Sequence, residues 1–175
     1  MKIRLSSLVP VAYSLVASVV FLDSLRFKFT NAPETQTIFG KLDAWAASFG
    51  AGGLFAQTGL FSQYVIGSAE LVASTLLLAS LLPRLARLRT LGALIASAVM
   101  TGAVSFHLFT PLGVDPNMDG GGLFAMAVVV WLSSIAMVIA GRATLGALAV
   151  AIVNVLVAPG ARQHAEQAPP SPGSA

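Results

Sequence analysis

Four runs of about 20 predominantly apolar residues divide the chain: Leu5–Leu25, Gln63–Leu82, Leu91–Thr110 and Gly122–Ala140. Each is long enough to cross the hydrocarbon core of a bilayer as a helix. No water reaches the backbone there, so a crossing segment must satisfy its own N–H and C=O groups, and a helix does so. The expected fold is all-α, a polytopic membrane bundle of four transmembrane helices in one domain spanning 1–159. Composition agrees with this. Hydrophobic residues make up 56% of the 175 and charged residues 10%, whereas a soluble domain carries roughly 45–50% and about 25%. Mean hydropathy is +0.83.

The ends of the chain need separate treatment. "MKIRLSSLVPVAYSLVASVVFLDS" starts like a signal peptide. Its apolar stretch is longer than a usual h-region, and it exits through Val20, Phe21, Leu22 and Asp23 with no small-residue cleavage pattern. It is expected to be retained as the first span. A further apolar segment, 143–158, follows Gly141 and Arg142. It is shorter than a usual span and is expected to lie at the interface or pack on the bundle; a fifth crossing is the alternative. Residues 160–175 are rich in Pro, Ser and Ala and are expected to form a disordered tail.

Orientation follows from the basic residues. Lys2 and Arg4 precede the first run, Arg84, Arg87 and Arg89 join the second to the third, and Arg142 follows the fourth. No acid accompanies them, whereas Asp115 and Asp119 occupy the third-to-fourth loop. The positive-inside rule therefore places the N-terminus and "PRLARLRT" in the cytoplasm, the other two connections outside, and the chain in the bacterial inner membrane. The net charge of +3 is spread among apolar segments, which points to topology and away from nucleic acid.

The first outward connection has apolar residues at Ile38, Leu42, Trp45 and Phe49, close to helical spacing. A short amphipathic helix is expected there, capped by Asn31, with Pro33 and Glu34 in its first turn and Trp45 at headgroup level. It would lie over the outer end of the bundle.

Within the second run, "YVIGSAELVAST" carries Glu70 among apolar and small residues. An ionised carboxylate at mid-membrane costs at least a few kcal/mol, so it must face the interior, pair with a cation or stay protonated. Gln63, Gly67, Glu70 and Ser74 recur at helical spacing and form one small, polar stripe. Candidate partners are Arg26 and Lys28 at the outer end of the first helix, which can reach down about 10 Å, and His107 in the outer half of the third. Two readings are open. Either Glu70 pairs with Arg26 or Lys28 to fix helix register, or Glu70, the basic group and His107 line a site for a proton or a polar ligand head. Gln63 belongs to the same candidate set.

Other chemistries find no support in the sequence. No cysteine is present, which excludes disulfides, thiolate chemistry and Cys-ligated metal. His107 is alone in the bundle, and His164 falls in the tail, so bis-histidine haem ligation is not expected. "GVDPNMDGGG" lacks calcium-loop spacing and reads as a surface turn. No metal site is expected.

"RFKFTNAPETQTIFGKL", "YVIGSAELVASTLLLASLLPR" and "LGALIASAVMTGAVSFHLF", in that order, resemble the DoxX-like family of small bacterial membrane proteins. The resemblance runs from about Arg26 to Arg142. It implies a bundle of about four helices and marks Lys28, Glu70 and His107 as the motif residues. The wider group is associated with thiosulfate:quinone oxidoreduction, with membrane redox complexes that answer oxidative stress, and with methylamine utilisation. Most members have no assigned activity. The inserted "FGAGGLFAQTG" and the apolar extension after Arg142 depart from the usual pattern.

The resemblance and the polar cluster together lead to an accessory subunit of a membrane redox system, with quinone as candidate ligand and redox proteins as candidate partners. Whether the chain is itself an enzyme, and its oligomeric state, stay open. A scaffold or assembly factor without a ligand is the alternative. A small transporter is a third reading, against which stands the lack of a repeat or a broken-helix pair.

Overall fold

The computed structural model describes residues 5–157. The expected disordered tail, 160–175, lies outside the described residues. Six α-helices run in order: α1 Leu5–Phe29, α2 Pro33–Ala47, α3 Gln63–Ala79, α4 Leu88–Phe109, α5 Gly122–Ala140 and α6 Arg142–Val157. No strand occurs among the described residues. The chain divides into two compact units, one ending at Gly141 and one beginning at Arg142.

Among the described residues three helical segments are long and apolar enough to cross a membrane: Leu8–Phe29, Leu88–Phe109 and Gly122–Ala140. The second expected span is shorter. Its helix, α3, has 17 residues and stops at Ala79 rather than Leu82. Pro83 explains this, because the residue before a proline is pushed out of the helical region, and Leu82 is extended at φ −75°, ψ 127°. Pro111 ends α4 in the same way, leaving Thr110 extended, so that helix runs Leu88–Phe109 instead of Leu91–Thr110. α1 continues one turn past its expected end at Leu25, to Phe29. α5 has its expected bounds.

α1, α3, α4 and α5 form the bundle: α3 packs between α1 and α4, α4 packs on α5, and α5 touches α1 only sparsely. The core combines Tyr13, Ala17 and Phe21 with Ala73, Leu77, Ala93, Ala96 and Val130. Its many alanines bring the helices close together. A β-carbon on Gly92 would stand 2.9 Å from Leu77 Cγ and 3.2 Å from the Ala73 carbonyl oxygen. The outward surfaces are apolar: Val9 and Val19 of α1, Val72 of α3 and Leu132 of α5 are exposed. Such continuous apolar surface is unusual on a protein bathed by water and ordinary on one bathed by lipid.

The two ends of the bundle differ. At one, Arg89 donates from Nε to Ser14 Oγ and from an η nitrogen to the Ser80 carbonyl, both at 3.2 Å. Arg89 was expected in a loop; it lies in the first turn of α4 and ties α1 and the end of α3 together. At the other end α2 covers the bundle, as expected. Its Leu42 and Ala46 pack with Phe55 and Leu112 in a second apolar cluster. Asp43 Oδ1 accepts from the amides of Gly53 (2.9 Å) and Phe55 (3.0 Å), which orders the glycine-rich insert. Pro33 and Glu34 occupy the first turn of α2, but its N-cap is Ala32, not Asn31. Asn31 takes φ 53°, a left-handed value that suits asparagine in a tight turn, and its carbonyl accepts from Gln36 Nε2 at 2.8 Å.

α6 is apolar and short, with Val150, Ile152, Val153 and Val155 exposed. It matches the expected extension in position and in falling below span length.

The glycines of α3 and α4 give opposite expectations. Glycine to alanine in a helix interior gains roughly 1 kcal/mol of propensity. At Gly67 the added methyl would meet neighbours no closer than 3.5 Å, so Gly67→Ala should raise the melting temperature in detergent or leave it unchanged. At Gly92 the methyl collides with the fully buried Leu77 and with backbone, and overpacking costs about 1–3 kcal/mol. Gly92→Ala should lower the melting temperature, and equal melts for the two variants would contradict this packing.

Candidate functional site

Glu70 lies seven residues into α3, about 10 Å from its start. The stripe expected from spacing faces inward: Gln63, Gly67, Glu70 and Ser74 are all buried, while Val65, Leu71 and Leu78 on other faces are exposed. Ser74 Oγ donates back to the Glu70 carbonyl at 2.8 Å.

The cation beside Glu70 is Lys28. Its Nζ donates to Glu70 Oε1 at 3.0 Å, with the carboxylate side chain 4% exposed. Lys28 Nζ also donates to Ser24 Oγ, one turn back on α1. The extra turn of α1 beyond Leu25 makes this reach feasible. Arg26, the other candidate, points away. It pairs with Asp23 at 3.0 Å, both side chains more than half exposed, and its guanidinium stacks on the Phe27 ring. Residues two apart on a helix face different directions, so Arg26 and Lys28 cannot share the task.

Gln63 supports the pair from behind. Its Nε2 donates to the Lys28 carbonyl at 2.8 Å and to Asn31 Oδ1 at 3.0 Å, binding the end of α1 to the start of α3. It is a positioning residue and does not line the cavity described below.

His107 is buried near the end of α4. Its Nδ1 donates to the Gly113 carbonyl at 2.6 Å in the following turn. That bond fixes the ring and assigns the Nδ1 proton, leaving Nε2 available. The ring lies 5.4 Å from that of Phe124, centroid to centroid.

A cavity of about 730 Å³ joins these groups. Glu70, Lys28, Ser24 and His107 all line it, together with Met100 and Ala103 of the His107 face. Its walls are mostly apolar and include Ile38 and Leu42 of α2, Phe55, and Phe106 of α4. The volume is in the range of small-molecule sites, and apolar walls with a few converging polar groups are the usual form of such sites. The cavity lies between the bundle core and the α2 layer. The polar cluster expected beneath a cover is therefore present, with Lys28, Glu70 and His107 in it and Arg26 and Gln63 outside it.

Three features were missed from sequence. Ser24 is four residues before Lys28, a spacing that places both on one face. The aromatic lining from Phe55 and Phe106 had no local signal, since it needs the insert to fold over α4. Asp119 lines the cavity in the turn before α5: its Oδ2 accepts from the Leu123 amide at 2.8 Å and its Oδ1 from the Gly121 amide at 3.0 Å. These bonds, the Leu123 amide first, hold the Asp119 carboxyl below the usual aspartate range. "GVDPNMDGGG" is a turn, as expected, with left-handed Met118, Gly120 and Gly121. Among the described residues no group of three or more His, Asp or Glu side chains could hold a metal ion.

Comparison with protein-family models, curated proteins and solved structures returns no match.

The pair makes a clear demand on mutants. Removing one member of a buried pair leaves an uncompensated charge and costs about 3–5 kcal/mol. Glu70→Ala should therefore lower the melting temperature sharply, and Glu70→Gln nearly as much. Lys28→Met combined with Glu70→Gln should recover most of the loss, because no buried charge is stranded. A Glu70→Gln protein as stable as the parent would rule out the ion pair as a structural element.

Proposed function

We propose that this chain is a DoxX-like, quinone-interacting subunit of a membrane redox system. The supporting observation is the apolar cavity that collects Lys28, Glu70 and His107 beneath α2. A quinone has an apolar ring and two carbonyl oxygens that need donors. Lys28 Nζ and, in its protonated form, His107 Nε2 are donors of the required kind, and the aromatic and aliphatic walls accept the ring. Glu70 and the charged rim near Asp119 offer a path along which a proton could move between the cavity and water. Nothing in this arrangement demands that the chain be catalytic. An accessory subunit that binds quinone beside a redox partner uses the same groups.

We further place four helices across the bilayer, with α3 as the fourth span. Its 17 residues reach about 25 Å, at the lower limit for a crossing, and it packs between α1 and α4. The basic end, with Arg84, Arg87 and Arg89, faces the cytoplasm of a bacterial inner membrane, and the α2 end faces out.

Orientation is directly measurable, since the chain has no native cysteine. Ala86 and Met118 are both exposed, on opposite connections. Cysteines at these two positions should label from opposite sides of the membrane, Met118→Cys from outside. Labelling of both from one side would overturn the topology.

Quinone binding is tested on purified protein in nanodiscs with tritiated ubiquinone or menaquinone. The parent should retain quinone, and His107→Leu should weaken retention about tenfold, the worth of one lost hydrogen bond of about 1.4 kcal/mol. A parent protein that retains neither quinone would leave the scaffold reading in its place.

A further inference from the structure

Two features of the cavity say more about what it takes. The first is Glu70 Oε2. It is buried and makes no hydrogen bond of normal geometry among the described residues; Oε1 is engaged by Lys28, and the Ser24 hydroxyl beside the carboxylate is itself taken by Lys28. Buried polar oxygens are satisfied in nearly all folded proteins, so a missing partner asks for an explanation. An ammonium–carboxylate pair leaves Oε2 an acceptor, and the group that satisfies it must be a donor. A quinone offers only acceptors. A ring hydroxyl offers the donor that Oε2 lacks.

The second feature is the gap between α1 and α5. These helices touch sparsely compared with the other neighbours of the bundle. Towards the basic end they are joined: Tyr13 OH and Ser134 Oγ lie 2.9 Å apart, and Ala17 and Val130 belong to the same core cluster. Towards the α2 end, both helices line the cavity. Its lining there includes Val19 and Val20 of α1 and Leu123 and Met126 of α5, and Val19, Leu123 and Met126 are exposed. An opening bordered by exposed apolar side chains suits an acyl or isoprenoid chain. The lining towards α2 carries Glu34, and the Leu112–Asp119 turn contributes Asn117 and Asp119, which suits water.

We infer that the cavity receives a hydroxyl-bearing amphiphile from the side, its hydroxyl donating to Glu70 Oε2 and its apolar tail leaving between α1 and α5 into the bilayer. The inference rests on the reading of the cavity as a site for a lipid-soluble ligand. It narrows that reading to the hydroxyl form of the head and to a lateral route. A quinol ring and the hydroxylated head group of a lipid share this chemistry.

The test uses the full chain in nanodiscs and two probes, each with a photoreactive diazirine in its tail: a long-chain quinol and a phosphatidylglycerol. Crosslinks are mapped by peptide mass spectrometry. Crosslinks from the quinol on Val19, Val20 or Met126 in excess of those on the lipid-facing Val9 and Val72 support the proposal together with the quinone reading. The same excess from phosphatidylglycerol alone supports the proposal and overturns the quinone reading. Crosslinks on α2 or on the Leu112–Asp119 turn overturn the lateral route, and no crosslink from either probe overturns the proposal. The donor is read separately by competition on the unmodified protein. The quinol should displace its probe at least tenfold better than its di-O-methyl ether, which keeps the ring, both oxygens and the tail but has no hydroxyl. Equal displacement overturns the hydroxyl donor. In Glu70→Gln protein that folds, this preference should fall several-fold; an undiminished preference would overturn the assignment to Oε2.

Discussion

A carboxylate inside an apolar bundle is the constraint around which the covered end of this protein is arranged. Glu70 is 3% exposed, and its tolerance depends on Lys28 reaching it at 3.0 Å. Several features of the fold serve that contact. α1 must stay helical past its apolar run so that Lys28 points at α3 and not at solvent. Ser24, one turn earlier, holds the ammonium from the side. Gln63 grips the Lys28 carbonyl and Asn31, fixing the separation of the two helices. Gly67 stands where α1 passes, with Leu25, Lys28 and Phe29 each 3.5 Å from where its β-carbon would be. Gln63, Gly67 and Glu70 of the α3 stripe are thus a set of contacts with the end of α1. A buried pair of this kind is weak evidence of stability, because desolvation offsets much of the attraction. Retaining it in an apolar setting is better explained by register or by use of the carboxylate.

The opposite end solves a similar problem differently. Arg89 lies in the first turn of α4, and among the described residues no carboxylate pairs with it. Its guanidinium is satisfied by a serine hydroxyl and a backbone carbonyl. The Ser80 carbonyl it uses is one of those left without a partner where α3 stops before Pro83. A planar fork with several donors can bind two elements at once, which an ammonium does less well. The bundle is therefore tied by a cation at each end, with an acid as partner only where the cavity lies.

Much of this was legible in the sequence, and the failures have physical causes. Apolar run length placed α1, α3, α4 and α5, and the spacing of Gln63, Gly67, Glu70 and Ser74 identified the buried face of α3. Helix ends were less legible because proline acts on the residue before it: Leu82 and Thr110 look like members of their runs by hydropathy but cannot be helical. Arg26 and Lys28 were indistinguishable as partners by composition. The phase of α1 decides which faces inward, and the end of α1 is held by Gln63, 35 residues away in the chain. Arg89 read as a loop charge because its partners, Ser14 and Ser80, come from two other segments. Asn31 had the composition of a helix cap, yet its left-handed backbone and its bond to Gln63 take it out of that role.

The cavity was beyond sequence reasoning for a related reason. It is defined by what does not touch. α2 and the glycine-rich insert build their own apolar cluster from Leu42, Ala46, Phe55 and Leu112, and the core of the bundle closes on Tyr13, Phe21 and Leu77. Each cluster satisfies its own residues, so neither draws the other down to fill the space between them. Packed interiors do not normally leave such a volume, because unfilled apolar space forfeits contact energy on every wall. The volume persists here at the place where Glu70 keeps an oxygen without a partner. Two unmet demands in one location, space and a hydrogen bond, are met together by one molecule with an apolar body and a polar head.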